Sequence, residues 1–153
     1  MKKNAVKTGI IAAIAIIMLT VCFFITVLYF PSVDYHTVAD FIKAYRPAML
    51  LPAIPAFFLA LVNIPFFVSL YFFSDEIKKP LALSGLLFGM GYSLFCAINY
   101  FMQLTIVPVN LHLKQVCVLS VCCMFIKGSF AYMIDILGYA FLSISFLFYS
   151  AVF

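Results

Sequence analysis

The sequence predicts an all-α fold: a polytopic membrane helical bundle with four transmembrane helices and one short interfacial or re-entrant segment. Of the 153 residues, 67% are hydrophobic and only 9% are charged, and the mean hydropathy is +1.22. A water-soluble domain averages about 45–50% apolar and about 25% charged residues. The charges fall mostly in short clusters, separated by stretches close to the roughly 20 apolar residues that cross a hydrocarbon core. We therefore expect residues 1–153 to form a single integral membrane domain.

The first two predicted spans cover residues 9–30 and 47–73. The first carries no charge, and Pro31 should end it because proline has no backbone N–H to continue a helix. It is longer than the roughly 7–15 apolar residues of a signal peptide and no A-x-A-like cleavage site follows, so we expect a retained anchor. The second span contains Pro52 and Pro65, near which we expect kinks.

The loops between the spans are short and polar. Residues 31–46 have charges that sum to zero with histidine neutral, and their apolar residues allow one or two amphipathic turns at the interface. Residues 74–80 form a charged turn too short for a soluble domain, so the second and third spans should be an antiparallel hairpin. His36 and His112 fall in predicted loops, where solvent exposure is the expected role.

The third predicted span covers residues 81–107 and should end at Pro108. The apolar stretch 116–126 has 11 residues, which would reach roughly 16 Å as a helix. It is too short to cross a bilayer alone, so we expect an interfacial or re-entrant piece. A break at 127–129 then leads to the fourth span, 130–153. The alternative is one long bent helix from about residue 116.

The orientation prediction depends on the basic residues near the ends of the spans, because cytoplasmic loops carry an excess of Lys and Arg. An N-terminus in the cytoplasm puts five of them inside: Lys2, Lys3, Lys7, Lys78 and Lys79. Four then lie outside: Lys43, Arg46, Lys114 and Lys127. We therefore predict a multi-pass protein of the cell membrane with a cytoplasmic N-terminus.

One face of the third span gathers its small and polar residues. On a helix, six residues lie within an arc of about 80°: Gly85, Gly89, Tyr92, Cys96, Asn99 and Gln103. The opposite face carries Leu87, Met90, Leu94, Ile98 and Phe101. Amides exposed to hydrocarbon would lose their hydrogen-bond partners at a cost of several kcal/mol each, so the first face should point into protein. The G-x-x-x-G pair would let another backbone approach closely.

Two interpretations of this face remain open. In the first it is a packing surface, whose amides make hydrogen bonds between helices. In the second, Asn99 and Gln103 line a polar pocket together with Asn63 of the second span and the hydroxyl of Tyr92 or Tyr100. A few convergent polar groups in an apolar cavity are typical of small-ligand sites.

Asp135 is the only acid well within a predicted span. Acids inside a membrane are costly and are often functional. Asp135 lies only about a turn and a half from the predicted helix start, however, where the helix dipole favours a negative charge. The candidate ligand-binding residues are therefore Asn63, Tyr92, Asn99, Gln103 and Asp135.

The sequence contains no motif of known chemistry. It has no H-E-x-x-H, no G-x-S-x-G and no phosphate-binding loop. Acid–base catalysis needs two positioned groups, so we predict that the protein is not an enzyme, although an intramembrane enzyme using Asp135 stays an alternative. The five cysteines lack zinc-site spacing, and the basic residues form no stripe. We expect no metal, no cofactor and no nucleic-acid partner.

Two runs resemble multi-pass membrane proteins of bacteria and archaea that have no known activity. They are NYFMQLTIVP, residues 99–108, and LGYAFLSISFLF, residues 137–148. The resemblance implies a prokaryotic cell membrane and transfers no functional residue. No polar residue follows the last apolar run, so either the terminal carboxylate lies at the interface or the polypeptide continues beyond Phe153, as the chains that it resembles do.

These observations predict a small membrane protein surrounded by membrane lipid. We expect it to bind a hydrophobic or amphipathic ligand, or a membrane-protein partner, through the polar, glycine-bearing face of the third span. A small transporter or channel subunit is the alternative. Transporters pair discontinuous helices at corresponding positions of two halves, and the proline-broken second span is one such helix without a partner.

Overall fold

The computed structural model describes residues 2–29 and 35–153, and these residues form an all-helical protein. Six α-helices follow one another along the chain: α1 (Lys2–Tyr29), α2 (Val38–Ala44), α3 (Ala53–Phe73), α4 (Lys79–His112), α5 (Val116–Cys122) and α6 (Phe130–Val152). Two 3₁₀ turns, Pro47–Leu50 and Glu76–Lys78, precede α3 and α4. Four helical segments are long and apolar enough to span a membrane: Lys3–Tyr29, Pro47–Phe73, Glu76–His112 and Phe130–Val152. The predicted all-α class and the four spans are thus confirmed.

Three helix ends lie five or more residues from the predicted ends of the spans, and one of them is the start of α3 at Ala53, which follows the 3₁₀ turn Pro47–Leu50. Helix α1 begins at Lys2, within the charged segment that precedes the predicted start at residue 9. Helix α4 continues through Pro108 to His112, so the predicted end of the third span is wrong. Proline removes one hydrogen bond from a helix, and here the buried side chains of Val107 and Leu111 pack on both sides of it. That packing keeps the helix continuous.

The chain between α4 and α6 contains a short separate helix. Helix α5 ends at Cys122, and Gly128 then adopts a φ of +80°, a backbone conformation that favours glycine. Helix α6 begins at Phe130, where the Ser129 hydroxyl accepts a hydrogen bond from the N–H of Tyr132 at 3.0 Å. The alternative of one long bent helix from residue 116 is therefore wrong.

The long helices pack in a chain of neighbours. Helix α1 lies against α3, α3 against α4 and α4 against α6, and no comparable interface joins α1 to α6 within the described residues. Helices α3 and α6 also meet beside α4, where the ring of Tyr149 stacks on Phe67 with centroids 5.9 Å apart. The Tyr149 hydroxyl donates a hydrogen bond to the Phe67 carbonyl at 2.9 Å. The core therefore lies among α3, α4 and α6.

A second hydrophobic cluster covers one end of the bundle. We call it the cap; it comprises α2, the turn Pro47–Leu50, α5, residues 123–127 and the last two turns of α4. Phe41 of α2 is fully buried there and stacks on Phe125 at 5.8 Å. The Tyr35 N–H donates to the Phe125 carbonyl at 2.8 Å. The predicted amphipathic turn of the 31–46 loop is α2, which packs on the segment after α5.

Candidate functional site

The predicted polar face of α4 points into the protein. Six residues are buried: Gly85, Gly89, Tyr92, Cys96, Asn99 and Gln103. The five residues of the opposite face are 44–60% exposed: Leu87, Met90, Leu94, Ile98 and Phe101. The structure thus confirms the prediction that the face of α4 with the amides and glycines points into the protein.

The two glycines of α4 make room for aromatic rings rather than for another backbone. A methyl group built on Gly89 would lie 2.5 Å from the ring of Phe67, and one on Gly85 would lie 3.0 Å from the ring of Tyr149. The prediction that these glycines let another backbone approach closely is therefore wrong, because the nearest atoms belong to side chains. The stacked rings of Phe67 on α3 and Tyr149 on α6 lie against this stretch of α4 and fill the space beside the glycines.

Gln103 is fully buried and holds the C-terminal end of α5. Its Nε2 donates a hydrogen bond to the Cys122 carbonyl at 2.8 Å, and its Oε1 accepts one from the N–H of Met124 at 3.0 Å. The end of a helix leaves backbone carbonyls without partners, and a buried break also exposes N–H groups. One amide side chain supplies both missing partners, so Gln103 fixes the chain where α5 ends.

Asn99 joins this contact to α6. It lies one turn before Gln103, and its Oδ1 accepts a hydrogen bond from the Gln103 Nε2 at 3.2 Å. Its own Nδ2 donates to the Oδ1 of Asp135 at 3.0 Å. The result is a continuous line of hydrogen bonds from the carboxylate of Asp135 on α6, through two amides of α4, to the backbone of the cap.

Asp135 lies at a small cavity that we call the cleft. It has a volume of about 150 Å³ and lies between the C-terminal half of α1, the start of α3, α4, residues 124–125 and α6. Phe23 and Val27 of α1 line one side, and Asp135 and Tyr139 of α6 line the other. Tyr139 is 44% exposed, so the cleft opens to the surroundings of the bundle.

Two tyrosines complete the polar part of the cleft. The hydroxyls of Tyr100 on α4 and Tyr139 on α6 lie 3.4 Å apart, and the side chain of Tyr100 also interacts with Asp135. Among the described residues that line the cleft, Asp135 is the only charged one. The chemistry present is therefore one carboxyl group and two phenol hydroxyls in an otherwise apolar wall.

Asn63 and Tyr92 do not join the hydrogen-bond network. The Asn63 side chain is buried, but its Nδ2 donates to the Leu59 carbonyl of its own helix at 2.8 Å. It makes no hydrogen bond to Asn99, so the structure does not support the pocket predicted between these two residues. Tyr92 packs its ring on Tyr139, with centroids 5.8 Å apart, and lies beside the cleft rather than among its lining residues.

Two parts of the site, Tyr139 and the backbone of residues 122–124, were not among the residues predicted from the sequence. Tyr139 follows Asp135 by four residues, which places both side chains on one face of a helix, and this spacing was available in the sequence. Ser145 lies on the buried face of α6 together with Ala131 and Gly138, and its hydroxyl donates to the Gly85 carbonyl at 2.6 Å. No sequence feature pointed to the backbone contacts of Gln103, because they depend on where α5 ends.

The fold and the cleft define a compact helical bundle with a cavity that the carboxyl group of Asp135 lines. No group of three or more His, Cys, Asp or Glu side chains that could hold a metal ion occurs within the described ranges, 2–29 and 35–153. No protein-family model matches the chain, and neither a curated protein nor a solved structure shows significant similarity to it. The resemblance of residues 99–108 and 137–148 to prokaryotic membrane proteins therefore stays a prediction.

Proposed function

We propose that the protein is a multi-pass integral membrane protein that binds the head of an amphipathic ligand in the cleft, beside Asp135. The observation that supports this proposal is that the carboxyl group of Asp135, in the second turn of a helix long and apolar enough to span a membrane, lines a cavity of the bundle. Intramembrane acids are rare and costly, and they commonly mark a ligand or ion site.

The outer surface of the long helices supports a membrane location. Helix α1 exposes a continuous apolar surface, on which Ile11, Ile17 and Leu28 are 64–80% exposed. An apolar surface of this extent is a feature of membrane or partner contact rather than of a soluble monomer. Helix α4 has 34 residues, about 51 Å at 1.5 Å per residue. It exceeds a hydrocarbon core of about 30 Å, which lets its last turns join the cap beyond the span.

The size of the cleft favours a ligand that stays partly in the bilayer. Pockets that enclose a whole drug-sized ligand have volumes of about 300–1,000 Å³, whereas this one has about 150 Å³. It has room for a headgroup but not for an acyl chain. Because α1 and α6 form no extensive interface, a chain attached to that headgroup can leave between these two helices.

The polar face of α4 contributes indirectly to this site. The Gln103 amide is occupied by the cap backbone, and the Asn99 amide is occupied by Asp135 and Gln103. A ligand would therefore meet Asp135, Tyr100 and Tyr139, while the two amides hold the carboxyl group and the cap in place. We propose binding rather than catalysis, because amides and phenols surround Asp135 instead of the second acid or histidine that acid–base chemistry commonly uses.

A pair of tryptophan variants tests this function. Val27→Trp puts a large ring at the wall of the cleft, and Val21→Trp puts the same ring on the exposed surface of α1, away from the cleft. Each protein is purified in detergent, and its retained amphiphiles are extracted and quantified by mass spectrometry. We expect Val27→Trp to lose a class of amphiphile that the wild type and Val21→Trp both retain. Equal retention of every class by all three proteins would exclude ligand binding in the cleft.

A further inference from the structure

Among the described residues that line the cleft there is one acidic side chain and no basic one. The Oδ1 of Asp135 accepts a hydrogen bond from Asn99 at 3.0 Å, and the side chain of Asp135 also interacts with that of Tyr100. No lysine or arginine lies among the residues that line the cleft, and within the described residues Asp135 forms no ion pair. A carboxylate in this setting lacks a counter-charge, which a cationic ligand would supply.

The walls of the cleft suit a cation that is poorly hydrated. The aromatic residues Phe23, Tyr100 and Tyr139 line the same cleft as the carboxyl group of Asp135. The faces of such rings attract alkylammonium groups, and the attraction is largest where water is excluded. Met124 and Val27 supply apolar contacts for the methyl or methylene groups next to the nitrogen. A phosphate or carboxylate head would meet the charge of Asp135 with no basic residue to offset it.

We infer that the ligand is an amphipathic amine, whose ammonium head pairs with Asp135 inside the aromatic wall of the cleft. This assignment rests on the proposed function and specifies its ligand class. The hydrocarbon part of the amine leaves between α1 and α6. The line of hydrogen bonds through Asn99 and Gln103 keeps the carboxylate oriented toward the head.

Two dodecyl probes separate charge recognition from simple apolar binding. Dodecyltrimethylammonium carries a cation, and 1-O-dodecylglycerol has a chain of the same length with a neutral head. Their affinities are measured by calorimetry for the full chain in phosphatidylcholine nanodiscs, with empty nanodiscs as the blank. We expect the wild type to bind the ammonium probe at least about tenfold more tightly than the neutral probe.

The variant Asp135→Asn should remove this preference and leave the neutral probe unchanged, because the amide still accepts the hydrogen bond of Asn99. Glu76→Gln is the matched control, since Glu76 is an exposed acid at the other end of the bundle, paired with Lys79. It should keep the wild-type preference.

Four results would overturn the inference. A wild type that binds the two probes equally, or an Asp135→Asn variant that keeps the preference, excludes ammonium recognition by Asp135. The proposed function survives these results if Val27→Trp still lowers the affinity for the neutral probe. If Asp135→Asn binds neither probe, the variant Asp135→Glu is measured, because it keeps the negative charge. Equal affinities of Asp135→Glu for the two probes then overturn the inference. A wild type that binds neither probe more than empty nanodiscs do overturns the amine assignment. If the wild type and Val27→Trp also retain the same amphiphiles, the proposed binding function is excluded as well.

Discussion

Gln103 and Asn99 lie one turn apart on α4 and are joined by a hydrogen bond of 3.2 Å, yet they hold different parts of the molecule. Gln103 holds the backbone where α5 ends, and Asn99 holds the carboxyl group of Asp135. Both amides are thus used in contacts within the protein, and they act on a ligand site beside Asp135 only indirectly. The amides make the contacts between helices, and the same contacts position the group that lines the cleft.

The role of Gln103 makes the substitution Gln103→Leu severe. Leucine would leave the Cys122 carbonyl and the Met124 N–H without their side-chain partners in a buried place. A buried polar group without a partner costs about 1–3 kcal/mol. We expect the free energy of unfolding in detergent to fall by at least about 2 kcal/mol, together with faster hydrogen exchange in α5. Thermal unfolding and exchange mass spectrometry measure the two effects.

Thr105→Val is the matched control for this substitution. Thr105 lies on the exposed face of α4, and its hydroxyl donates only to the Phe101 carbonyl of its own helix. Its replacement should change stability by less than about 0.5 kcal/mol. If Gln103→Leu is as stable as Thr105→Val and α5 exchanges at the wild-type rate, the amide does not hold the cap.

The sequence predicted the helices and the buried face of α4, because both depend on local physics. Apolar length sets a span, and the cost of an unpaired amide sets the direction of Asn99 and Gln103. The partners of these residues depend on tertiary structure instead. Asn63 and Asn99 are equally polar, but Asn63 bonds to its own helix. The continuation of α4 past Pro108 follows from packing in the cap, which no local pattern contains.

The contact between Gly89 and the ring of Phe67 predicts a strong effect of one methyl group. A Cβ at Gly89 would lie 2.5 Å from the ring of Phe67, which is fully buried and stacks on Tyr149. Overpacking of this kind costs about 1–3 kcal/mol. We therefore expect Gly89→Ala to lower the free energy of unfolding by that amount, although alanine favours helices more than glycine does.

The neighbouring exposed residue provides the comparison for Gly89→Ala. Met90 is 44% exposed on the opposite side of α4, and Met90→Ala should leave thermal unfolding nearly unchanged. The double variant Gly89→Ala with Phe67→Leu should recover part of the loss, because the smaller side chain frees the space of the ring. A Gly89→Ala protein that is more stable than the wild type would show that helix propensity outweighs the ring contact.

Two cysteines of the cap allow its burial and the predicted orientation to be tested together. Cys117 is exposed on α5, whereas Cys123 is fully buried, and burial raises the pKa of the Cys123 thiol to about 12. The thiolate is the reactive form, so at pH 8 Cys123 should be almost entirely protonated and shielded. In variants that keep one cysteine each, a membrane-impermeant maleimide added to intact cells should label Cys117 rapidly and Cys123 hardly at all.

A third single-cysteine protein tests on which side of the membrane each end of α4 lies. Asp75→Cys is exposed at the opposite end of the bundle, in the turn between α3 and α4. With a cytoplasmic N-terminus, Cys117 reacts from outside and Asp75→Cys reacts only after permeabilisation. The reverse pattern would invert the orientation, because the two sites lie at opposite ends of α4. Rapid labelling of Cys123 in intact cells would instead contradict the packing of the cap, since the reagent reaches that thiol only if residues 123–127 leave Phe41 and α5.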